Sequence, residues 1–81
     1  MNEVFLIGKI ITCVKFGFII SSKHISKSAF NLKTLDEQII QINAYDKIAD
    51  YVYSNLKQGD NVFIYGTMHK DKVNVVKIKI I

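Results

Sequence analysis

The side chains of this sequence that could bind a ligand are a tyrosine, several lysines and several amides in two adjacent segments. In segment 25–34, Lys27 and Lys33 fall on the face opposite Phe30 and Leu32, and Tyr45 ends a second alternating segment, 39–45. Three amides fall on the same predicted face: Asn31, Gln41 and Asn43. If the two segments pair as a hairpin, one surface carries a ring that can stack on bases and lysines that can neutralise phosphates. The alternative is that Tyr45 only packs against the following helix.

Other lysines add to this positive charge. Lys70 and Lys72 lie in a charged connection, 69–72, between the last two predicted strands, and we expect them to contact phosphates as well. Three more lysines are candidates for the same role: Lys9, Lys77 and Lys79. The alternative for each is a solvated surface charge.

Catalysis has little support in the sequence. His24 and His69 are far apart, and no Cys, Asp or Glu stands at a ligand-like spacing to either of them. The chain contains no arginine, which a phosphoryl-transfer site would be expected to use. We therefore expect a non-enzymatic protein with no metal and no cofactor, and we expect Cys13 to be a small buried apolar residue.

Length and composition limit the organisation of the chain. Its 81 residues fit one domain, 1–81, and 49% hydrophobic residues indicate a folded chain. The net charge of +4 favours a polyanionic partner, although a lysine-rich soluble surface is the alternative. A single cysteine and the lack of a signal-like or membrane-spanning segment favour the cytoplasm. A domain this small with no disulfide is expected to gain stability by self-association.

Hydrophobic alternation predicts five strands and a short extended segment at 16–20. The strands are expected at 3–15, 25–34, 39–45, 62–68 and 73–81, with a hairpin turn at 35–38. The residues expected to face inward are Val4, Leu6, Gly8, Ile10, Phe30, Leu32, Ile40, Ile42, Ala44, Val62, Ile64, Gly66 and Met68. In the last strand Val76, Ile78 and Ile80 are expected on one face, alternating with Lys77 and Lys79.

One helix is predicted between the third and fourth strands of the barrel. Asp46 is a good N-cap, and Gly59 follows the expected end of the helix. Apolar residues recur at helical spacing between them: Ile48, Ala49, Val52 and Leu56. The order of elements predicts an all-β protein, a small five-stranded Greek-key barrel of the OB type with this helix covering one open end.

Several apolar side chains are predicted on the outer face of the barrel. They are Phe5, Ile7, Phe63 and Tyr65. Exposed apolar patches mark association surfaces, so we expect a homo-oligomer, a dimer or a tetramer, that assembles through them. A second stacking surface and an error in the predicted register are the alternatives.

Two motifs resemble the bacterial single-stranded DNA-binding protein family. The first is Asn2-x-Val4-x-Leu6-Ile7-Gly8-x-Ile10. The second is Tyr45-x-Lys47-x-Ala49, followed by Leu56-Lys57-x-Gly59-Asp60-x-Val62-x-Ile64-x-Gly66. The resemblance covers nearly the whole chain and is weakest in its middle third. It implies an OB barrel that assembles as a dimer or tetramer and wraps single strands through stacked aromatic rings and basic side chains.

The sequence also departs from that family. Tyr45 stands where the family usually has a stacking phenylalanine, but Ile39 replaces a tryptophan that members commonly stack on bases. The hairpin at 69–72 is short, and the family's acidic tail has no counterpart here. In length and in this missing tail the chain looks more like the compact primosomal replication proteins of the same fold, or a plasmid or phage relative. The expected function is single-stranded DNA binding in replication, repair or mobile-element maintenance. RNA binding, or an oligomeric adaptor that has lost base stacking, are the alternatives.

Overall fold

Six strands and one helix form in the computed structural model, which describes residues 2–19 and 25–81. They are β1 (Glu3–Ile10), β2 (Lys15–Phe18), β3 (Ser26–Thr34), β4 (Ile39–Tyr45), α1 (Asp46–Asn55), β5 (Asn61–His69) and β6 (Lys72–Ile80). The extended piece expected at 16–20 is found as β2, and its last residue and the polar break at 21–24 lie outside the described residues. Within the described ranges, the helix α1 lacks the length and the apolar character that a membrane crossing requires.

Five of the strands close into a barrel. They are hydrogen-bonded in the order β1-β5-β6-β4-β3, and antiparallel pairing of β1 with β3 completes the ring. The β4–β6 pair is parallel, whereas the other strand pairs are antiparallel. β2 pairs with the outer edge of β3, so it adds a sixth strand outside the ring. The predicted OB-type barrel with its helix between the third and fourth barrel strands is therefore confirmed.

The core is built from the inward side chains that the alternation predicted. In β1, β3, β4 and β5 each of those residues is buried or packed against the buried cluster. The buried apolar residues are Ile10, Phe30, Leu32, Ile42, Ala44, Ala49, Val52, Leu56, Val62, Ile64, Val73 and Val75. Three of these belong to the helix or its C-terminal end, which confirms the predicted apolar face of α1.

The predicted register of β6 is wrong at one residue. Gly66 pairs with Val75 and Tyr65 pairs with Lys77, so Val76 is an extra residue that forms a β-bulge. The bulge turns Val75 inward, where it is 8% exposed, and leaves Val76 45% exposed. Strict alternation cannot reveal an inserted residue, which explains the incorrect placement of Val76.

The start of the helix also differs from expectation. Tyr45, not Asp46, is the N-cap residue, and its side chain makes no capping hydrogen bond. Asp46 is the first helical residue and has a φ of 58°. The Ser26 hydroxyl instead ties this turn to β3, because Ser26 Oγ lies 3.1 Å from the Asp46 carbonyl oxygen and 2.7 Å from Asp50 Oδ1. At the other end the predicted turn is present, with Gly59 at a φ of 100°.

Cys13 is exposed, so the expectation that it is buried is wrong. It lies between β1 and β2, where the chain is not in a strand and the alternating pattern has no meaning.

The hairpin turn expected at 35–38 is confirmed, since the Thr34 amide donates a hydrogen bond of 2.9 Å to the Gln38 carbonyl oxygen.

Candidate nucleic-acid interface

The β3–β4 hairpin places Lys27 and Tyr45 directly opposite each other on its outer face. Lys27 Nζ lies 5.9 Å from the centroid of the Tyr45 ring, within the range of a cation–π interaction. Tyr45 is partly buried and therefore keeps some exposure to solvent. The pair joins a positive charge to an aromatic surface, which is the combination expected from the sequence.

Lysines from the β5–β6 turn complete a pocket around Tyr45. Parallel pairing sets Lys72 beside Gln41 and Asn74 beside Asn43, which brings the turn alongside the end of β4. The pocket is lined by Lys27, Asn43, Tyr45, His69, Lys70, Asp71, Lys72 and Asn74. Three lysines thus surround one tyrosine and outnumber the single carboxylate, so the pocket is electropositive.

Three residues of this pocket, His69, Asp71 and Asn74, are not among the predicted site residues. His69 ends β5 and Asn74 lies early in β6, and both reach the pocket only because β6 runs parallel to β4. A strand pairing between segments about 30 residues apart leaves no local pattern, so spacing along the sequence cannot identify these two residues.

The three predicted amides occupy different environments. Asn31 and Gln41 face each other across the hairpin and are partly buried. Gln41 Nε2 donates a hydrogen bond of 3.1 Å to Asn43 Oδ1. Asn43 is only 4% exposed, with β3 and β6 paired to β4 on either side of it, so the expected open position of Asn43 is corrected. Its side chain forms part of the wall of the pocket.

Lys33 lies far from this pocket. It pairs with Ile39 at the other end of the hairpin, six residues along β3 from Lys27, a separation of about 20 Å. Its Nζ is 3.3 Å from Glu37 Oε1, an exposed ion pair that partly compensates its charge. Lys9 pairs with Lys33 across the β1–β3 closure. The structure therefore does not bring Lys33 together with Tyr45.

The remaining candidate lysines lie on another face. Lys77 pairs with Tyr65 and Lys79 pairs with Phe63 on the outer surface of β5 and β6. They border a cleft of about 560 Å³, which lies between α1 and these strands. The floor of this cleft is mainly apolar, and the pocket at Tyr45 is smaller but more polar.

The four predicted outward apolar residues form one patch. Phe5 pairs with Tyr65 and Ile7 pairs with Phe63 in neighbouring strands. The Phe5 ring lies 4.8 Å from the Tyr65 ring and 6.0 Å from the Phe63 ring, and Phe5 is 67% exposed. The carboxylate of Glu3 accepts a hydrogen bond from the Tyr65 hydroxyl, which together with partial desolvation raises the pKa of Tyr65 above its usual value.

Comparisons with known proteins give structural matches only. No protein-family model matches the chain, and no curated protein matches it by sequence. Among solved structures, the SSB domain of a Synechococcus sp. protein matches with a TM-score of 0.87 at 10% identity, covering 96% of this chain and 93% of that one. The small single-stranded DNA-binding protein of Streptomyces coelicolor matches with a TM-score of 0.82 at 18% identity, covering 100% and 94%.

A third match is the wild-type single-stranded DNA binding protein of Thermus aquaticus, with a TM-score of 0.88 at 15% identity. The match covers all of this chain, which spans 40% of that protein's length. At these identities the likeness concerns the path of the backbone. The chain therefore has the OB fold of bacterial single-stranded DNA-binding proteins, as its resemblance to that family implied.

Proposed function

We propose that this protein is a non-enzymatic module that binds single-stranded DNA with little sequence preference. The observation that carries the proposal is the Lys27–Tyr45 pair in an open pocket that Lys70 and Lys72 also line. The fold likeness supports it, because the matched structures are described as single-stranded DNA-binding proteins.

The proposed mechanism combines stacking with charge. A base stacks on the open part of the Tyr45 ring, a contact worth about 1–3 kcal/mol that any base can make. The ammonium groups of Lys27, Lys70 and Lys72 neutralise the flanking phosphates. Because ammonium groups contact phosphate rather than base edges, they add affinity without sequence preference.

Salt dependence tests this proposal quantitatively. If all three pocket lysines contact phosphates, log affinity for oligo-dT falls with log salt at a slope of about −2, from about −0.7 per contact on a single strand. Replacing Lys72 by alanine is expected to reduce the slope to about −1.4. Fluorescence titration of labelled oligo-dT at several salt concentrations measures both slopes. The absence of a saturable signal at low salt would contradict the proposal.

A competition experiment with oligo-dU and oligo-rU compares the affinity for DNA with the affinity for RNA.

We also propose that the patch of Phe5, Ile7, Phe63 and Tyr65 is a homo-oligomer interface. Phe5→Glu places a charge where the proposed interface excludes water, which is costly, so the mass from light scattering is expected to fall to that of a single chain. Ile81→Glu is the matched control, because Ile81 is also 67% exposed but is not part of the patch. A single-chain mass for the unchanged protein, or an unchanged mass for Phe5→Glu, would argue against this interface.

A further inference from the structure

The C-terminal half of β6 has an open edge. The parallel pairing of β6 with β4 extends only from Lys72 to Asn74, although β6 continues to Ile80. β4 ends at Tyr45, where the chain enters α1 instead of continuing beside β6. Within residues 2–19 and 25–81, the rest of β6 is paired with β5 alone, on its other side. From Val75 onwards, β6 therefore presents a row of backbone groups that no described strand pairs with.

The backbone groups that face this open edge follow from the ladder between β5 and β6. The Ile81 amide donates a hydrogen bond of 2.9 Å to the Asn61 carbonyl oxygen, next to the start of that ladder. In an antiparallel pair, residues that bond to the partner strand alternate with residues whose N–H and C=O groups point away from it. Lys79 therefore bonds to β5, and the N–H and C=O groups of Ile78 and Ile80 point towards the open edge.

The cleft between β6 and α1 runs along this edge. Lys77, Ile78 and Lys79 all line it, although Ile78 is on the inward face of β6 and the two lysines are on the outward face. A cleft lined by both faces of one strand follows the edge of that strand. Ile48 and Tyr51 of α1 form its opposite side. Its volume of about 560 Å³ is typical of ligand-binding clefts, which measure about 300–1,000 Å³.

The rim of this cleft is positively charged. Its lining contains Lys47, Lys77 and Lys79 and no carboxylate. In the described part of the chain, none of these three lysines forms an ion pair. If two copies paired through the edges of β6, the lysines of one copy would approach those of the other, and lysines on an edge strand disfavour that pairing. The charge therefore favours an acidic occupant over a second copy of this chain.

We infer that the open edge of β6 binds an extended segment of a partner protein in which acidic and apolar residues alternate. The segment adds a strand to β6 by hydrogen bonding to the backbone of Ile78 and Ile80. Neighbouring strands share their two faces, so its acidic side chains lie beside Lys77 and Lys79 and its apolar side chains lie beside Ile78. This surface is separate from the Tyr45 pocket, and the inference does not depend on the proposed function.

Fluorescence polarisation of a dye-labelled peptide of about six residues, in which aspartate and valine alternate and both ends are blocked, tests the inference. Lys77→Glu with Lys79→Glu is expected to weaken its binding at least about tenfold, and to bind a peptide with lysine in place of aspartate instead. Lys15→Glu with Lys33→Glu is the matched control, because it makes the same change in net charge at exposed positions on β2 and β3. The control is expected to stay within about threefold of the unchanged protein, since salt screens these more distant charges.

Pairing through the backbone has its own readout in the unchanged protein. N-methylation of alternate peptide residues removes the hydrogen-bond donors along one edge of the peptide, and N-methylation of the other residues removes those along the opposite edge. One methylated peptide is expected to lose binding and the other to stay within about threefold of the unmodified peptide, because an added strand pairs through one edge only. The unmodified peptide is also expected to slow hydrogen exchange at the amides of Ile78 and Ile80.

The absence of saturable binding of the alternating peptide, or equal affinity of the two methylated peptides, would overturn the inference. If Lys77→Glu with Lys79→Glu weakens oligo-dT binding as much as peptide binding, the cleft belongs to the nucleic-acid surface instead. Phe63 lines the cleft and also belongs to the proposed oligomer interface. A lower mass for the Lys77 and Lys79 variant in light scattering would therefore make this edge part of the interface between copies, and would also overturn the inference.

Discussion

A variant that combines Tyr45→Ala with Lys27→Glu is expected to bind oligo-dT at least about 100-fold more weakly than the unchanged protein. The tyrosine change removes a stacked base, worth about 1–3 kcal/mol, and the lysine change replaces a phosphate contact by a repulsion. A loss of about 2.7 kcal/mol corresponds to 100-fold. Fluorescence titration at low salt measures it, and thermal unfolding checks that the variant stays folded.

The helix offers a matched control for this variant. Tyr51 and Lys47 are one turn apart, line the larger cleft on another face and are both exposed. Tyr51→Ala with Lys47→Glu therefore makes the same chemical change away from the proposed site, and we expect less than a threefold loss. An equal loss in the two double variants would show that charge alone controls binding, and a larger loss in the helix variant would move the site to the cleft.

The sequence predicted the part of the site that local pairing determines. Lys27 and Tyr45 lie in segments joined by a tight turn, so alternation and a hairpin register suffice to place them together. Charge alone predicts a role for Lys70 and Lys72, and the parallel β4–β6 pairing that brings them to Tyr45 leaves no local pattern in the sequence. Lys33 shares the face of Lys27, but periodicity predicts only the face. The six-residue spacing puts Lys33 about 20 Å along the strand, too far for both lysines to lie beside Tyr45.

The fold was predictable to a similar extent, for the same physical reason. Alternation identified the inward residues wherever a strand is regular, and the helix followed from its apolar spacing. It failed at Val76, where a bulge adds a residue, and at Cys13, which lies outside any strand. Asp46 has a typical N-cap side chain, yet Tyr45 takes that position, and the Ser26 hydroxyl, distant in sequence, contacts the first turn of the helix.

Two glycines of the family-like motifs have a steric explanation. A Cβ at Gly8 would collide with the carbonyl oxygen of Lys33, where β1 closes the barrel against β3. A Cβ at Gly66 would collide with the carbonyl oxygen of Asn74, next to the bulge in β6. Neither glycine has a positive φ, so conformational freedom is not the reason for them. Close approach of a neighbouring backbone requires glycine at both positions.

Gly66→Ala is accordingly expected to lower the free energy of unfolding by about 3 kcal/mol, at the upper end of overpacking costs, because a backbone carbonyl cannot rotate out of the way as a side chain can. A domain of this length has a total of only about 4–12 kcal/mol. Urea unfolding followed by circular dichroism measures the loss. Gly17→Ala is the control, with an expected change within about 0.5 kcal/mol, since its Cβ meets open space. Equal stability of the two variants would mean that β6 can move away from Gly66, and that barrel closure does not depend on this close approach.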